Sequence, residues 1–226
     1  MSTDLAKYID HTLLNPHATA KEVSTLCQEA ARHKFYAVCV NPFYVKLARK
    51  ELSGSGVRVA TVIGFPLGAN ITEVKVLETR RAIADGAEEI DMVINIGALK
   101  SGDIDYVTAE IAEIVKAASD IPVKVIIECD LLNDDEKIAA TRACIEAGAF
   151  MVKTSTGFVR DGKGATVEDV TLMRKTIGGN KLGIKASAGI RDKAKAQALV
   201  EAGADRLGTS AGVAIVEGAA TAKSSY

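Results

Sequence analysis

Three charged residues stand where apolar runs do not need them. Lys153 closes the run Ala149-Phe150-Met151-Val152 and is followed by Thr154-Ser155-Thr156-Gly157-Phe158, whose hydroxyls and glycine read as loop. Lys185 closes Leu182-Gly183-Ile184 in the same way, and Ala186-Ser187-Ala188-Gly189-Ile190 follows it. Asp91 is an isolated carboxylate inside Ile90-Asp91-Met92-Val93-Ile94-Asn95. Charge beside a buried apolar run is costly to desolvate unless it is paired or neutralised. A single strand-end lysine is most simply read as one that snorkels to water. Two placed alike on neighbouring strands point to a site, and Asp91, read as their salt-bridge partner, belongs to the same place.

The chemistry follows from the charges. Two close ammoniums repel and burial adds to the effect, so at least one has a depressed pKa. A lysine near its ordinary pKa of about 10.4 is neutral roughly once in a few thousand molecules at pH 7. Lowering it by about three units makes the neutral amine abundant, as a Schiff-base nucleophile requires. One lysine then attacks a carbonyl, while the second depresses its pKa and relays protons with Asp91.

These residues need a scaffold that brings strand ends together. Strands are expected at Tyr8 to His11, Phe35 to Val40, Val57 to Ile63, Glu88 to Asn95, Val123 to Cys129, Ala149 to Lys153, Lys181 to Ala186 and Asp205 to Gly208. Helix starts are signalled by Thr19 with Glu22, Asn41-Pro42, Asn70, Asn133 with Glu136, Thr166 and Asp192, and a short last helix starts near Ser210. The helix after Asn70 is expected to bury Val74, Leu77, Ala82 and Ile83. Asp85-Gly86-Ala87, Ala147-Gly148-Ala149 and Ala202-Gly203-Ala204 repeat one helix-to-strand joint, with glycine where the left-handed conformation is needed. Eight near-continuous apolar strands alternating with helices predict a single (β/α)8 TIM barrel over residues 1–217, in the α/β class. The small, polar tail 218–226 is expected to be flexible.

In such a barrel the chemistry sits at the C-terminal strand ends. Lys153 and Lys185 end their strands and should face each other, whereas Lys124 and Lys181 begin theirs and are expected to be ordinary bottom-face charges. Ser187-Ala188-Gly189 and Gly208-Thr209-Ser210, after the last two strands, offer backbone N–H groups and a helix start suited to an anion. Phosphate sites in barrels are frequently built from these loops.

Composition narrows the function. Among 226 residues, 28 basic and 29 acidic side chains give a net charge of −1, which offers nucleic acid or an anionic membrane no electrostatic attraction. No apolar run is long enough to span a bilayer and Met1-Ser2-Thr3-Asp4 lacks a signal peptide's features, so a cytoplasmic protein is expected. Cys27, Cys39, Cys129 and Cys144 have no C-x-x-C spacing and are expected to be buried free thiols. His11, His17 and His33 fit no metal-ligand motif, so metal dependence is not expected.

At Val152-Lys153-Thr154-Ser155-Thr156-Gly157-Phe158, Ile184-Lys185-Ala186-Ser187-Ala188-Gly189-Ile190 and Glu89-Ile90-Asp91-Met92-Val93-Ile94-Asn95 the chain resembles the deoxyribose-phosphate aldolases, class I aldolases that work through a Schiff base. Gly64-Phe65-Pro66-Leu67-Gly68, Arg206-Leu207-Gly208-Thr209-Ser210 and Ile9-Asp10-His11-Thr12-Leu13-Leu14 also fit, so the likeness runs from about residue 8 to 217. It implies reversible cleavage of 2-deoxy-D-ribose 5-phosphate to acetaldehyde and D-glyceraldehyde 3-phosphate, with Lys153 as the Schiff-base lysine and Asp91 and Lys185 moving protons. Thr154, Gly157, Ser187, Gly189, Gly208 and Ser210 are the expected substrate and phosphate contacts. The family likeness also implies that Tyr226 visits the site to assist proton transfer. The partners are then a sugar phosphate and aldehydes, and a homo-oligomer is compatible with them. Three other readings stay open. One is a different Schiff-base sugar-phosphate lyase, which donor-aldehyde assays separate. Another is an isomerase using Asp91 as base, which borohydride trapping excludes. The third is a non-catalytic barrel that binds phosphorylated metabolites, which a turnover assay tests.

Overall fold

The computed structural model of the chain describes residues 4–218. Eight parallel strands close in sequence order: β1 (Ile9–Leu13), β2 (Ala37–Val40), β3 (Arg58–Ile63), β4 (Glu89–Val93), β5 (Val123–Ile126), β6 (Met151–Lys153), β7 (Gly183–Ser187) and β8 (Arg206–Thr209). β8 pairs back onto β1 through Ile9 and Leu207, Asp10 and Gly208, and His11 and Thr209. The expected (β/α)8 barrel is the fold. The connecting helices are α1 (Ala20–His33), α2 (Val45–Glu51), α3 (Thr72–Ala84), α4 (Ile96–Lys100), α5 (Ile104–Ala118), α6 (Asp134–Glu146), α7 (Val167–Ile177), α8 (Lys193–Glu201) and α9 (Gly212–Glu217).

Local chemistry explains where most helices begin. Thr19 and Glu22 form a capping box on α1, and Asn133 and Glu136 form one on α6. Thr166 accepts from the Asp169 N–H at 3.0 Å and Asp192 from the Lys195 N–H at 2.8 Å, satisfying donors that the helix cannot. Gly86, Gly148 and Gly203, at the three repeated joints, take φ of 108°, 74° and 114°. Helix α5 buries Val107, Ile111, Ile114 and Ala118 along one stripe against the barrel. Truncating Ile111 to alanine there costs about 2–5 kcal/mol. All four cysteines are buried free thiols.

Several local expectations are corrected. Asn70 does not cap α3; Ile71 precedes it and makes no side-chain cap. The buried face of α3 is Lys75, Thr79 and Ala82, while Leu77 is 67% exposed and Val74 also faces solvent. The apolar pattern misleads because the face that packs inward is ionic: Lys75 Nζ meets Glu110 Oε1 at 2.6 Å and the Val93 carbonyl at 2.9 Å. Asn41 makes no side-chain cap and donates to the Leu14 carbonyl at 3.2 Å, and the turn Pro42–Tyr44 after it is 3-10. A short helix unread in the sequence, α4, follows β4, with Asn95 Oδ1 accepting the Ala98 N–H at 3.1 Å. The last helix starts at Gly212, so Ser210 is a loop residue two places ahead of it. No helix among the described residues is long and apolar enough to cross a membrane. Apart from Gly218, which ends α9 in the left-handed conformation, the expected tail and Tyr226 lie outside the described residues.

Candidate active site

Strand register brings the three predicted residues together. Lys153 and Lys185 are direct neighbours across β6 and β7, and Asp91 neighbours Lys124 across β4 and β5. Partners in register point to the same side of the sheet, here the barrel interior. Asp91 Oδ2 accepts from Lys153 Nζ at 2.7 Å and from Lys185 Nζ at 2.8 Å. The other carboxylate oxygen, Oδ1, accepts from Lys124 Nζ at 2.8 Å.

Lys124 is therefore not an ordinary bottom-face charge. It is fully buried and also meets Glu89 Oε2 at 2.5 Å. Its place near the start of β5 misleads, because register sets it beside Asp91 on β4, with Glu89 two residues earlier on the same face. Lys181, by contrast, is exposed as expected. Sequence reasoning also passed over Asp10, Glu89 and Arg206. Lys185 Nζ hydrogen-bonds Asp10, and Arg206 reaches Asp10 at 3.0 Å and Glu89 at 3.1 Å while its guanidinium lies over the Tyr36 ring. One signal was available: Glu89 and Asp91 are two residues apart in one strand and so share a face.

Most TIM-barrel interiors are filled by branched aliphatic side chains. Here, among the described residues, Lys124, Lys153, Lys185 and Arg206 oppose Asp10, Glu89 and Asp91, four cations to three anions. The excess decides which group gives way. Burial lowers the pKa of Lys153, Lys185 adds repulsion, and the attraction of Asp91 does not fully offset them. Burial opposes the charge on Lys185 as well, but Asp10 and Asp91 outweigh it and hold its pKa above the usual lysine value. Lys124 is also held high, its burial outweighed by Asp91, Asp10 and Glu89. Asp91 and Asp10 stay ionised well below the usual carboxylate range, since the surrounding cations overcome the cost of burial. The arrangement can hold one neutral amine beside one permanent ammonium, with a shared carboxylate between them.

Above this cluster opens a cavity of about 960 Å³. Of the three interior lysines among the described residues, Lys153 alone lines it; Lys124 and Lys185 lie beneath. Gly157, Ser187, Gly189, Gly208 and Ser210 line it as expected. Thr154 does not. It is fully buried, donating to the Ser187 carbonyl at 3.1 Å and accepting from the Ser187 N–H at 3.0 Å, so it staples β6 to β7. Ser187 Oγ in turn donates to the Ser155 carbonyl at 2.5 Å. Two glycines are required by close approach. A Cβ on Gly208 would come within 3.0 Å of Lys185 Cε, and Gly189, with φ +68°, would press one to 2.8 Å from the Lys163 carbonyl. His11, given no role by the sequence, lines the far side of the cavity and pairs with Glu29 at 2.8 Å.

Comparison with known proteins agrees with this geometry. The model of the DeoC/LacD family aldolases matches residues 5–220. A deoxyribose-phosphate aldolase of Brevibacillus brevis is 57% identical over 99% of this chain and 100% of its own. That of Thermococcus gammatolerans is 58% identical, covering 97% and 98%. The tetrameric deoxyribose-phosphate aldolase of Aeropyrum pernix superimposes with a TM-score of 0.87 at 37% identity, over 94% of this chain and 89% of the other. With the family model matched along nearly its whole length and relatives more than half identical from end to end, this chain belongs to the DeoC/LacD aldolase family.

Proposed function

We propose that the protein is a class I aldolase, an aldehyde-lyase that reversibly cleaves 2-deoxy-D-ribose 5-phosphate to acetaldehyde and D-glyceraldehyde 3-phosphate, as its curated relatives are named. One observation carries the assignment of roles: of Lys124, Lys153 and Lys185, the one whose pKa is lowered is also the one that lines the cavity. In this reading the neutral Lys153 amine adds to the substrate aldehyde and water leaves, giving an iminium. The iminium draws the electrons of the C2–C3 bond as it breaks, so glyceraldehyde 3-phosphate departs and an enamine remains. Protonation of the enamine carbon and hydrolysis release acetaldehyde. Asp91, bonded to both Lys153 and Lys185, and the Lys185 ammonium move the protons. The iminium is itself the electron sink, so the reading calls for no metal or organic cofactor.

The phosphate is assigned to the loops after β7 and β8, through Ser187, Gly189, Gly208 and Ser210, with Gly157 beside Ala188 of the β7 loop. A homo-oligomeric assembly is supported by the tetrameric relative, and light scattering measures it. A cytoplasmic location belongs to the same proposal. The deciding experiment is borohydride reduction in the presence of acetaldehyde followed by peptide mass spectrometry. One ethyl group on Lys153 is expected; label only elsewhere, or none, overturns the mechanism.

A further inference from the structure

The loop 156–164 forms one wall of the cavity, and it is held at both ends by a single short turn. That turn is the 3-10 segment Cys129–Leu131 after β5, flanked by Glu128. Glu128 is buried and has φ 61°, ψ 68°, a left-handed conformation that a residue with a Cβ rarely adopts without compensation. The compensation is at hand. One carboxylate oxygen accepts the Thr156 N–H at 3.1 Å, the other bonds the Thr156 hydroxyl, and that hydroxyl oxygen accepts the Phe158 N–H at 3.0 Å. Two residues on, Asp130 takes the other end of the loop: Oδ1 accepts the Lys163 N–H at 2.9 Å and Oδ2 the Gly164 N–H at 3.0 Å. Gly162 packs so closely on Asp130 that an added Cβ would lie 2.8 Å from its Oδ2.

Between these anchors the loop is closed by the Gly162 N–H to Val159 carbonyl bond at 3.1 Å, and the Phe158 ring packs edge-on against Phe65 at 5.1 Å. Thr156 and Gly164 are buried, whereas Phe158 and 160–163 are exposed. Lys153 lies three residues before Thr156 and interacts electrostatically with Glu128, and the Ile127 N–H donates to the Lys153 carbonyl at 3.0 Å. The two carboxylates thus set the height of the wall above the nucleophile from one rigid point.

We propose that Glu128 and Asp130 are positioning residues that fix the loop 156–164 as a wall for the part of the substrate beyond the reacting carbons, and so determine specificity for the full-length sugar phosphate. This rests on the Schiff-base reading above. A two-carbon aldehyde reaches Lys153 without touching that wall, whereas a five-carbon phosphorylated sugar must lie against it.

The experiment compares Glu128→Ala, Glu128→Gln and Asp130→Ala with the wild type in two assays. One is borohydride trapping of acetaldehyde on Lys153; the other is steady-state cleavage of 2-deoxyribose 5-phosphate. Glu128→Ala and Asp130→Ala should each raise KM for the phosphorylated sugar on the order of tenfold, with kcat and acetaldehyde trapping changed less than about threefold. Glu128→Gln, which keeps an oxygen for the Thr156 N–H, should recover most of the loss. KM within about twofold of wild type in both alanine variants overturns the proposal, as does a parallel fall of kcat and trapping at constant KM. If Glu128→Ala does not fold, Asp130→Ala, at a partly exposed position, decides by the same criteria. Failure of trapping in the wild type would instead remove the Schiff-base reading, which separates the two.

Discussion

Replacing Lys185 by methionine keeps an unbranched side chain and deletes the ammonium that shares Asp91 Oδ2 with Lys153. The two Nζ atoms lie 2.8 and 2.7 Å from that oxygen, which sets them roughly 4.5 Å apart for ordinary acceptor geometry. At an effective dielectric constant of about 20 their repulsion is about 4 kcal/mol, and it adds to burial in lowering the pKa of Lys153. Losing Lys185 also leaves three interior cations facing Asp10, Glu89 and Asp91, so a protonated Lys153 then balances the cluster. Both effects raise its pKa. The assay is the pH dependence of acetaldehyde trapping by borohydride, read at the Lys153 peptide. The midpoint should move to higher pH than in the wild type, with trapping at neutral pH falling and recovering in alkali. An unmoved midpoint in a folded variant would refute the reasoning, because the second lysine would then not be what keeps the amine neutral.

Lys124→Met removes a partner from Asp91, Glu89 and Asp10 together and should cost about 3–5 kcal/mol in urea unfolding, the range for breaking a buried ion pair. A loss below about 1 kcal/mol would mean that water replaces it. Ser210→Glu brings a carboxylate to the proposed anion loop and should raise KM for 2-deoxyribose 5-phosphate far more than for unphosphorylated 2-deoxyribose; equal losses would misplace that site. Asp10 and Asp91 have depressed folded-state pKa values, so their contribution to stability is fully present above the unfolded value near pH 4 and is lost as pH falls toward the folded ones. Denaturant titrations from neutral pH down to about pH 2.5 should show that decline, and Asp10→Asn should flatten it. A wild-type curve with no acid slope counts against the ionised cluster.

The barrel was legible because its strands are apolar runs and its helices carry chemically explicit starts at Thr19, Asn133, Thr166 and Asp192. Lys153, Lys185 and Asp91 were legible because strand ends and strand interiors make charge conspicuous. The rest of the cluster was not. Position along a strand tells which end a Cα occupies, but not which residue of the neighbouring strand lies beside it, and the register of β4 on β5 puts Lys124 next to Asp91. Asp10, Glu89 and Arg206 sit on three different strands, and only closure of β8 onto β1 makes them neighbours. Helix α3 was misread for a related reason. Its inward residue is a lysine whose partner, Glu110, lies on another helix, so no pattern within the segment marks that face as buried. Thr154 was misassigned because a hydroxyl beside a reactive lysine looks like a ligand contact until the neighbouring strand claims it.

A barrel floor built from interlocked ions has a consequence for how such a chain changes over generations. An aliphatic core accepts one substitution at a time, each at a modest cost in packing. Here each charged side chain except Lys153 answers to two or more others, so a single neutralisation strands a partner without solvent, and its effect depends on what stands at the other positions. Viable routes through sequence space at these positions are therefore coupled: a cation and an anion must leave together, or a hydrophobic replacement must arrive as a matched set. The exposed loop residues 160–163 stand outside this network of ions, and variation is freer to accumulate there while the floor stays fixed.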